Sequence, residues 1–238
     1  IIKLSHDFDL ATVAEGIAYF HQPISYSAQC HLRELRWSND PEWARGVLRT
    51  FVAHQKPDGS FHGRIYANHV DGTDFYHADW GGALLALDAV HPSDAYLREV
   101  LPALEGYAEW LVSTRDAGGT GLFDVTDQFE TGQEYMSRYQ AVDPDADRYG
   151  WENRIRLKGV DVTVYAWQLF HALGELAVRG GIEGERWKAQ ADKTSLAVQK
   201  KMWDNKGGVF SDVNPLTGKR TGVRAAVSFY PYFTDMVS

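Results

Sequence analysis

Apolar residues recur at intervals of three and four along most of the chain, a spacing that places them on one face of an α-helix. The first clear case follows Asp40, which can cap a helix that begins at Pro41 and runs to about Gln55. The same periodicity predicts further helices near residues 9–21, 27–37, 79–90 and 94–114. Pro102 lies inside the last of these and predicts a kink or a division there.

The longest periodic run extends from Asp161 to Val178. Trp167 and Phe170 widen its apolar surface beyond a single stripe, so this helix should be buried on more than one side. Another helix is expected from about residue 183 to residue 202. The alternation that is typical of strands is scarce, and the pattern therefore predicts an all-α protein.

A short unit follows three of the predicted helices and consists of a turn and then Gly-x-Phe. It occurs at Gly59–Phe61, Gly121–Phe123 and Gly208–Phe210. Glycine tolerates the positive φ that ends a helix, and the aromatic residue can anchor the outgoing loop. The copies are separated by one helical hairpin or slightly more. We therefore expect one domain over residues 1–238, a toroid of paired helices with these turns near one rim.

A complete toroid of twelve helices with their loops needs well over about 300 residues, and about seven or eight helices fit into this chain. We therefore expect the ring to be incomplete, with its C-terminal helices missing. The break should leave an apolar edge near Phe229 to Met236, where a continuing segment would dock.

The composition narrows the classes of partner. The chain carries a formal net charge of -8 and does not collect Lys and Arg into a basic stripe, which argues against a nucleic-acid partner. No window approaches the roughly 20 apolar residues of a membrane span, so we expect a soluble protein, cytoplasmic rather than exported. Cys30 is the single cysteine and excludes an internal disulfide and a cysteine-based zinc site. We expect no metal.

The most informative segment for function is Phe129 to Tyr139, which groups two carboxylates, an arginine, a hydroxyl and two tyrosines around a glycine. Sugar recognition needs carboxylates that accept hydroxyl bonds, aromatic faces for the apolar side of the ring, and an acid for the leaving oxygen. The segment offers all three. It can also be read as the start of a helix, in which Thr131 caps and Glu134 completes a capping box.

The stretch from Glu130 to Tyr139, Glu-Thr-Gly-Gln-Glu-Tyr-Met-Ser-Arg-Tyr, resembles the Glu-Ser-Gly-x-Asp-x-Ser-x-Arg-aromatic motif of trehalases, processing α-glucosidases and mannosylglycerate hydrolases. The surroundings of the motif match in order. They are Trp80, Trp110-Leu111 and Arg115-Asp116 before it, and Asp161-Val-Thr163 and Phe229-Tyr-Pro231 after it.

The resemblance implies an (α/α)6 barrel, a small carbohydrate substrate, no cofactor, and hydrolysis of an α-glycosidic bond with inversion. By motif position Glu134 would be the general acid, and Glu130 and Arg138 would help to shape the glycone pocket. Two positions depart from the motif group, because Glu134 replaces an Asp and Thr163 replaces an Asn. The group's base is a Glu near the C-terminal end of the barrel, and no position of this chain matches it.

Four other residues are candidates for contact with the sugar. Tyr139 supplies an aromatic ring within the motif. His77 and Trp80 precede and open a predicted helix and could lie at the cavity mouth, although Asp79 between them serves equally as a helix cap. Trp151 follows the motif and could line the pocket.

Two other functions are compatible with the same helical barrel. A sugar epimerase or uronate lyase would move protons with His and Tyr, and the nine His residues allow it. It would need a pair of His across the cavity. A carbohydrate-binding toroid without catalysis would use Glu134 only to accept hydroxyl bonds.

Overall fold

A computed structural model describes residues 23–65, 75–146 and 155–237, and α-helices dominate this part of the chain. They are α1 Ser25–Leu35, α2 Glu42–Ala53, α3 Trp80–Asp88, α4 Asp94–Arg115, the short α5 Ser137–Gln140, α6 Val160–Gly180 and α7 Glu185–Ala197, which a π-helical turn Val198–Met202 continues. Three 3-10 helices are Gln128–Thr131, Ala226–Phe233 and Asp235–Val237. The helix predicted near residues 9–21 lies outside the described residues.

The strands of the described residues form two small antiparallel pairs. β1 Asp124–Val125 pairs with β2 Leu157–Lys158, and β3 Trp203–Asp204 pairs with β4 Val209–Phe210. Both pairs close loops that leave the ends of helices. The expectation of a chain with few strands is therefore confirmed.

The helices alternate along the chain between an inner and an outer layer. In the inner layer α1 packs against α3, and α3 packs against α6. In the outer layer α2 covers α1, α4 covers α2 and α6, and α7 covers α6. This is the arrangement predicted for a toroid of helical hairpins.

The lengths of the connections determine where the loops lie. Short connections at 36–41 and 181–184 join an inner helix to the outer helix that packs on it, and such short connections make neighbouring helices antiparallel. A third short connection, at 89–93, joins α3 to α4. The long connections at 54–79 and 116–159 must then lie at the opposite rim. That rim carries the segment with the carbohydrate-type motif.

Helix α6 is the most deeply buried element. Only a few of its positions are accessible, and Leu169, Phe170 and Leu173 are almost completely excluded from solvent. Phe170 stacks on Trp187 of α7, with ring centroids 5.7 Å apart. Burial on more than one side, which the sequence predicted for this helix, is confirmed.

The three Gly-x-Phe units share two structural features. Their glycines have positive φ and their phenylalanines are buried: Gly59 (φ 90), Gly121 (φ 78) and Gly208 (φ 65) precede Phe61, Phe123 and Phe210. Each unit follows the C-terminal end of an outer helix. The repeat is therefore a true structural unit, in which the glycine reverses the chain and the ring anchors the loop.

Two helices differ from their predicted form. Helix α4 runs continuously through Pro102, which is exposed. Proline has no N–H to donate to the carbonyl of Arg98, and on the solvent side water can hydrate that carbonyl instead. Of the two predicted alternatives, a kink or a division, the division is therefore excluded. The α-helical part of α7 ends at Ala197, and the chain reaches Met202 through the π-helical turn.

An apolar edge is present close to where the sequence predicted it. Phe229, Tyr232 and Phe233 are exposed, whereas Met236 is buried. The docking of a continuing segment on this edge stays a prediction. Across the described ranges, no helix combines the length and the apolar character that crossing a bilayer requires. The cytoplasmic location stays a prediction as well.

Candidate active site

The segment that carries the motif is a compact loop, bounded by β1 before it and α5 after it. The 3-10 helix Gln128–Thr131 ends at Gly132, which has a φ of 64°. Tyr135 has a φ of 59°, also in the left-handed region. Glu134 thus lies between two left-handed residues and outside any helix. The capping-box interpretation is wrong, because Thr131 ends a 3-10 turn and its hydroxyl contacts the hydroxyl of Tyr139 at 2.5 Å.

Glu134 lines a cavity of about 520 Å³ at this rim. Tyr26, at the start of α1, and Tyr76 contribute aromatic rings to the wall, and Arg64 contributes a guanidinium. Arg64 donates from Nη2 to the hydroxyl of Tyr76 at 2.6 Å. Gly132 packs so closely on Tyr26 that a β-carbon there would lie 2.7 Å from the ring. The cavity thus combines a carboxylate, a cation and aromatic faces.

Glu130 lies apart from the cavity wall in a buried ion pair. Its Oε1 accepts from Nη2 of Arg115 at 2.6 Å, and its Oε2 accepts from the backbone N–H of Thr126 at 2.9 Å. Burial by itself would raise the pKa of Glu130, but the contact with His77 and the charge of Arg115 outweigh it and lower the pKa to about 2. Glu130 is therefore a permanent anion near neutral pH.

Arg138 is 0% exposed and lies between two aspartates. Asp161 in the first turn of α6 accepts two hydrogen bonds, and Asp212 accepts two more from Nε and Nη2 at 2.9 and 2.8 Å. Burial by itself raises the pKa of both aspartates. At Asp161 the charge of Arg138 outweighs burial, and the pKa is lowered. At Asp212 burial outweighs the charge of Arg138, and the pKa is raised. The cluster connects the end of the motif to the N-terminal end of α6.

Glu130 and Arg138 were expected to help to shape the glycone pocket, and both lie buried beneath the loop, away from the described cavity wall. Glu130 is 2% exposed, and its carboxylate accepts from Arg115 and Thr126. The guanidinium of Arg138 is saturated by carboxylates. Both residues therefore act on the shape of the loop from beneath it.

His77 and Trp80 are buried as well, at 2% and 1% exposure. The backbone N–H of His77 donates to the carbonyl of Glu130 at 2.7 Å, and its Nε2 lies 3.7 Å from the Glu130 carboxylate. Trp80 packs between Phe51 and Phe61 in the aromatic core. The expectation that His77 and Trp80 lie at the cavity mouth is wrong, because both side chains are directed inwards.

Of the remaining expectations, Tyr139 is completely buried under the loop and Trp151 lies outside the described residues. The capping role of Asp79 is confirmed, because its Oδ1 accepts from the backbone N–H of Gly82 at 2.8 Å. Its other oxygen accepts from Arg33 and from Gln168. Asp79 therefore fixes the start of α3 and ties it to α1 and α6.

Several residues of this rim had no distinct signal in the sequence. Tyr26, Arg64 and Tyr76 are isolated in unremarkable contexts, and only the fold brings them to Glu134. Asp212 follows the third Gly-x-Phe unit by two residues, and this position was the one available hint.

Other chemistry has little support in the described part of the chain. No His is among the described residues that line the cavity of Glu134, although an epimerase or lyase would need a pair. Nor do residues 23–65, 75–146 and 155–237 contain a group of three His, Cys, Asp or Glu placed to hold a metal ion.

Comparisons with known proteins point in one direction. The sequence profile of the mannosylglycerate hydrolase MGH1-like glycoside hydrolase domain matches residues 19–238. No curated protein matches the chain significantly. Among solved structures, an uncharacterized conserved protein from Thermus thermophilus is similar with a TM-score of 0.77 and 17% identity, over 96% of this chain and 71% of that one.

The GH63 mannosylglycerate hydrolase from Thermus thermophilus is similar too. Its structure in complex with glucose has a TM-score of 0.75 and 15% identity, over 96% of this chain and 71% of that chain. Its structure in complex with Tris and D-glycerate has the same TM-score and identity, over 96% and 72%. At these identities the likeness establishes the helical toroid fold.

Proposed function

We propose that this chain, which belongs to the family of mannosylglycerate hydrolase MGH1-like glycoside hydrolase domains, cleaves an α-linked glycoside with inversion and uses Glu134 as its general acid. That the protein is a glycosidase follows from the family. The observation that carries the assignment of the acid is the position of Glu134 in the wall of the 520 Å³ cavity, at the motif position of the group's acid.

The proposed reaction requires one proton transfer from Glu134. As the bond between the anomeric carbon and the glycosidic oxygen breaks, Glu134 gives its proton to that oxygen, and the aglycone leaves as a neutral alcohol. A water attacks the anomeric carbon from the opposite face and loses its proton to a base. The glycosidic bond is thus exchanged for a bond to the water oxygen, and the anomeric configuration inverts.

The buried residues of the motif support this role indirectly. Glu130 is bound to Arg115, and Arg138 to Asp161 and Asp212, so the loop is fixed at points on both sides of Glu134. A fixed loop holds the acid in one geometry, which is one way in which an enzyme makes a carboxylic acid an effective catalyst.

The cavity also suggests the class of aglycone. Arg64 lines it together with Glu134, and a guanidinium binds a carboxylate with strong, charge-assisted hydrogen bonds. A structurally similar protein is a mannosylglycerate hydrolase that has been solved with D-glycerate. We therefore propose a substrate whose aglycone carries a carboxylate, such as a glycosyl-glycerate.

The test uses the full-length protein and measures release of reducing sugar from neutral α-linked disaccharides and from glycosyl-glycerates. Glu134→Gln keeps the size of the side chain but cannot deliver a proton, so turnover should fall by a factor on the order of 100 to 10,000. An α-glycosyl fluoride needs little help from an acid and should be much less affected.

The matched control is Glu109→Gln, which makes the same change at a carboxylate that is 56% exposed on α4. It should leave turnover unchanged. If Glu134→Gln retains wild-type turnover on the best natural-type substrate, the assignment of the acid is wrong.

A further inference from the structure

The backbone next to the proposed acid adopts an unfavourable conformation. Tyr135 has a φ of 59°, although a residue with a β-carbon loses about 1 kcal/mol or more in the left-handed region. Its ring does not explain this conformation, because it is 62% exposed and only meets Phe129 edge-on, at 6.0 Å between centroids. Some buried contact must therefore hold the backbone there.

That contact is made by Gln128. The backbone N–H of Tyr135 donates to Oε1 of Gln128 at 2.8 Å. Gln128 is 1% exposed, and its Nε2 donates to the carbonyl of Ala146 at 2.9 Å. An N–H can only donate and a carbonyl can only accept, so these two partners fix which end of the amide faces Tyr135.

Gln128 is itself anchored to a rigid part of the loop. It is the first residue of the 3-10 helix that contains Glu130, and Glu130 is held by the buried guanidinium of Arg115. The amide of Gln128 therefore holds the peptide group between Glu134 and Tyr135 in a fixed position. That peptide group sets the direction in which the Glu134 side chain leaves the backbone.

We infer that Gln128 is a positioning residue, whose buried amide holds the left-handed turn at Tyr135 and thereby aims the carboxyl group of Glu134 at the glycosidic oxygen. The inference rests on the proposed function. If it is correct, losing the amide should weaken only the step in which Glu134 delivers its proton. Binding of the sugar, which the cavity wall performs, should change little.

The experiment compares two substrates of the same sugar in the full-length protein. One has an alcohol aglycone that needs the acid, and the other is the α-glycosyl fluoride, which needs it little. Gln128→Met keeps the length of the side chain and removes both hydrogen bonds. We expect kcat to fall about 10- to 100-fold on the alcohol glycoside and less than about threefold on the fluoride, with KM nearly unchanged.

Two further variants identify the hydrogen bond that matters. Gln128→Glu keeps an oxygen acceptor for the N–H of Tyr135. The ratio of kcat on the alcohol glycoside to kcat on the fluoride should therefore be closer to the wild-type ratio in Gln128→Glu than in Gln128→Met. Gln140→Met makes the same substitution at an exposed glutamine of α5 and should leave both rates unchanged. If Gln128→Met does not fold, Gln128→Asn, whose amide is one methylene shorter, has to produce the same selective loss.

The outcomes separate this inference from the proposed function. If Glu134→Gln loses activity selectively on the alcohol glycoside while the Gln128 variants keep the wild-type ratio, or lose both rates equally, Gln128 is not a positioning residue. If Glu134→Gln retains turnover on both substrates, the proposed function itself fails.

Discussion

Arg138 binds Asp161 through two parallel hydrogen bonds, 2.7 Å from Nη1 to Oδ2 and 2.8 Å from Nη2 to Oδ1. Asp212 accepts from the other side of the same guanidinium. All three side chains are buried, so one positive charge is shared by two negative charges in a medium of low dielectric constant. The two aspartates should therefore not be equivalent.

We predict that Asp161→Asn destabilises the protein more than Asp212→Asn. The pKa of Asp161 is lowered and that of Asp212 is raised, so the charge of Asp161 is favourable in the folded state and the charge of Asp212 is not. Loss of the Asp161 charge should cost about 3 kcal/mol. Asp212→Asn removes an unfavourable charge but weakens the hydrogen bonds to Arg138, so it should cost about 1 kcal/mol. Urea unfolding near neutral pH measures both values, and equal losses would contradict the prediction.

The second prediction concerns acid stability. The pKa of Glu130 is lowered from 4.5 to about 2, so its contribution to stability is present above pH 4.5 and is lost as the pH falls towards 2. Between these values the free energy of unfolding should fall more steeply for the wild type than for Glu130→Gln. Denaturant unfolding at a series of pH values measures the two slopes, with Glu109→Gln as the exposed control.

At neutral pH the same Glu130→Gln variant should be clearly destabilised. It leaves the guanidinium of Arg115, whose side chain is 10% exposed, without its carboxylate partner. Removal of one member of a buried pair costs about 3–5 kcal/mol. If the free energy of unfolding at neutral pH falls by less than about 1 kcal/mol, the pair of Arg115 and Glu130 contributes little to stability.

The third prediction uses the Gly-x-Phe units as a matched pair. Gly208 has a φ of 65° with open space around a β-carbon, so Gly208→Ala should cost only the conformational penalty of about 1 kcal/mol. Gly59 has a φ of 90°, and a β-carbon there would lie 2.5 Å from the carbonyl oxygen of Gly106. Gly59→Ala should therefore cost at least about twice as much. Thermal unfolding measures the loss of stability in both variants. Equal decreases in Tm would mean that the contact with Gly106 adds nothing to the cost at Gly59.

The fourth prediction concerns the aglycone. Arg64→Met removes the cation of the cavity wall, so KM for a glycosyl-glycerate should rise about 10- to 100-fold, the loss of one charged hydrogen bond. KM for a neutral disaccharide should stay within about threefold. Tyr76→Phe deletes the hydroxyl that Arg64 contacts at 2.6 Å but keeps the charge, and it serves as the control. Equal effects on KM for both substrates would show that Arg64 does not recognise a carboxylate of the aglycone.

The periodicity of the sequence correctly predicted most of the helices. The apolar stripe of α6, the cap formed by Asp79 and the three Gly-x-Phe turns depend on residues that are close in sequence, so the local pattern contains the necessary information. The helix is not divided at Pro102 for a tertiary reason: packing of α4 on α2 and α6 keeps the helix continuous while the proline faces solvent.

The sequence by itself determined the fold class, because the helical periodicity recurs along most of the chain. It also determined the motif and the identity of the candidate acid, because both lie within one short segment. Only the tertiary structure decided which motif residues reach the cavity. Glu130 and Arg138 belong to the same motif as Glu134, but Arg115 binds Glu130 and Asp212 binds Arg138, and both motif residues are buried. The tertiary structure also brought Tyr26, Arg64 and Tyr76 to Glu134, since a cavity wall is assembled from segments whose proximity no local pattern specifies.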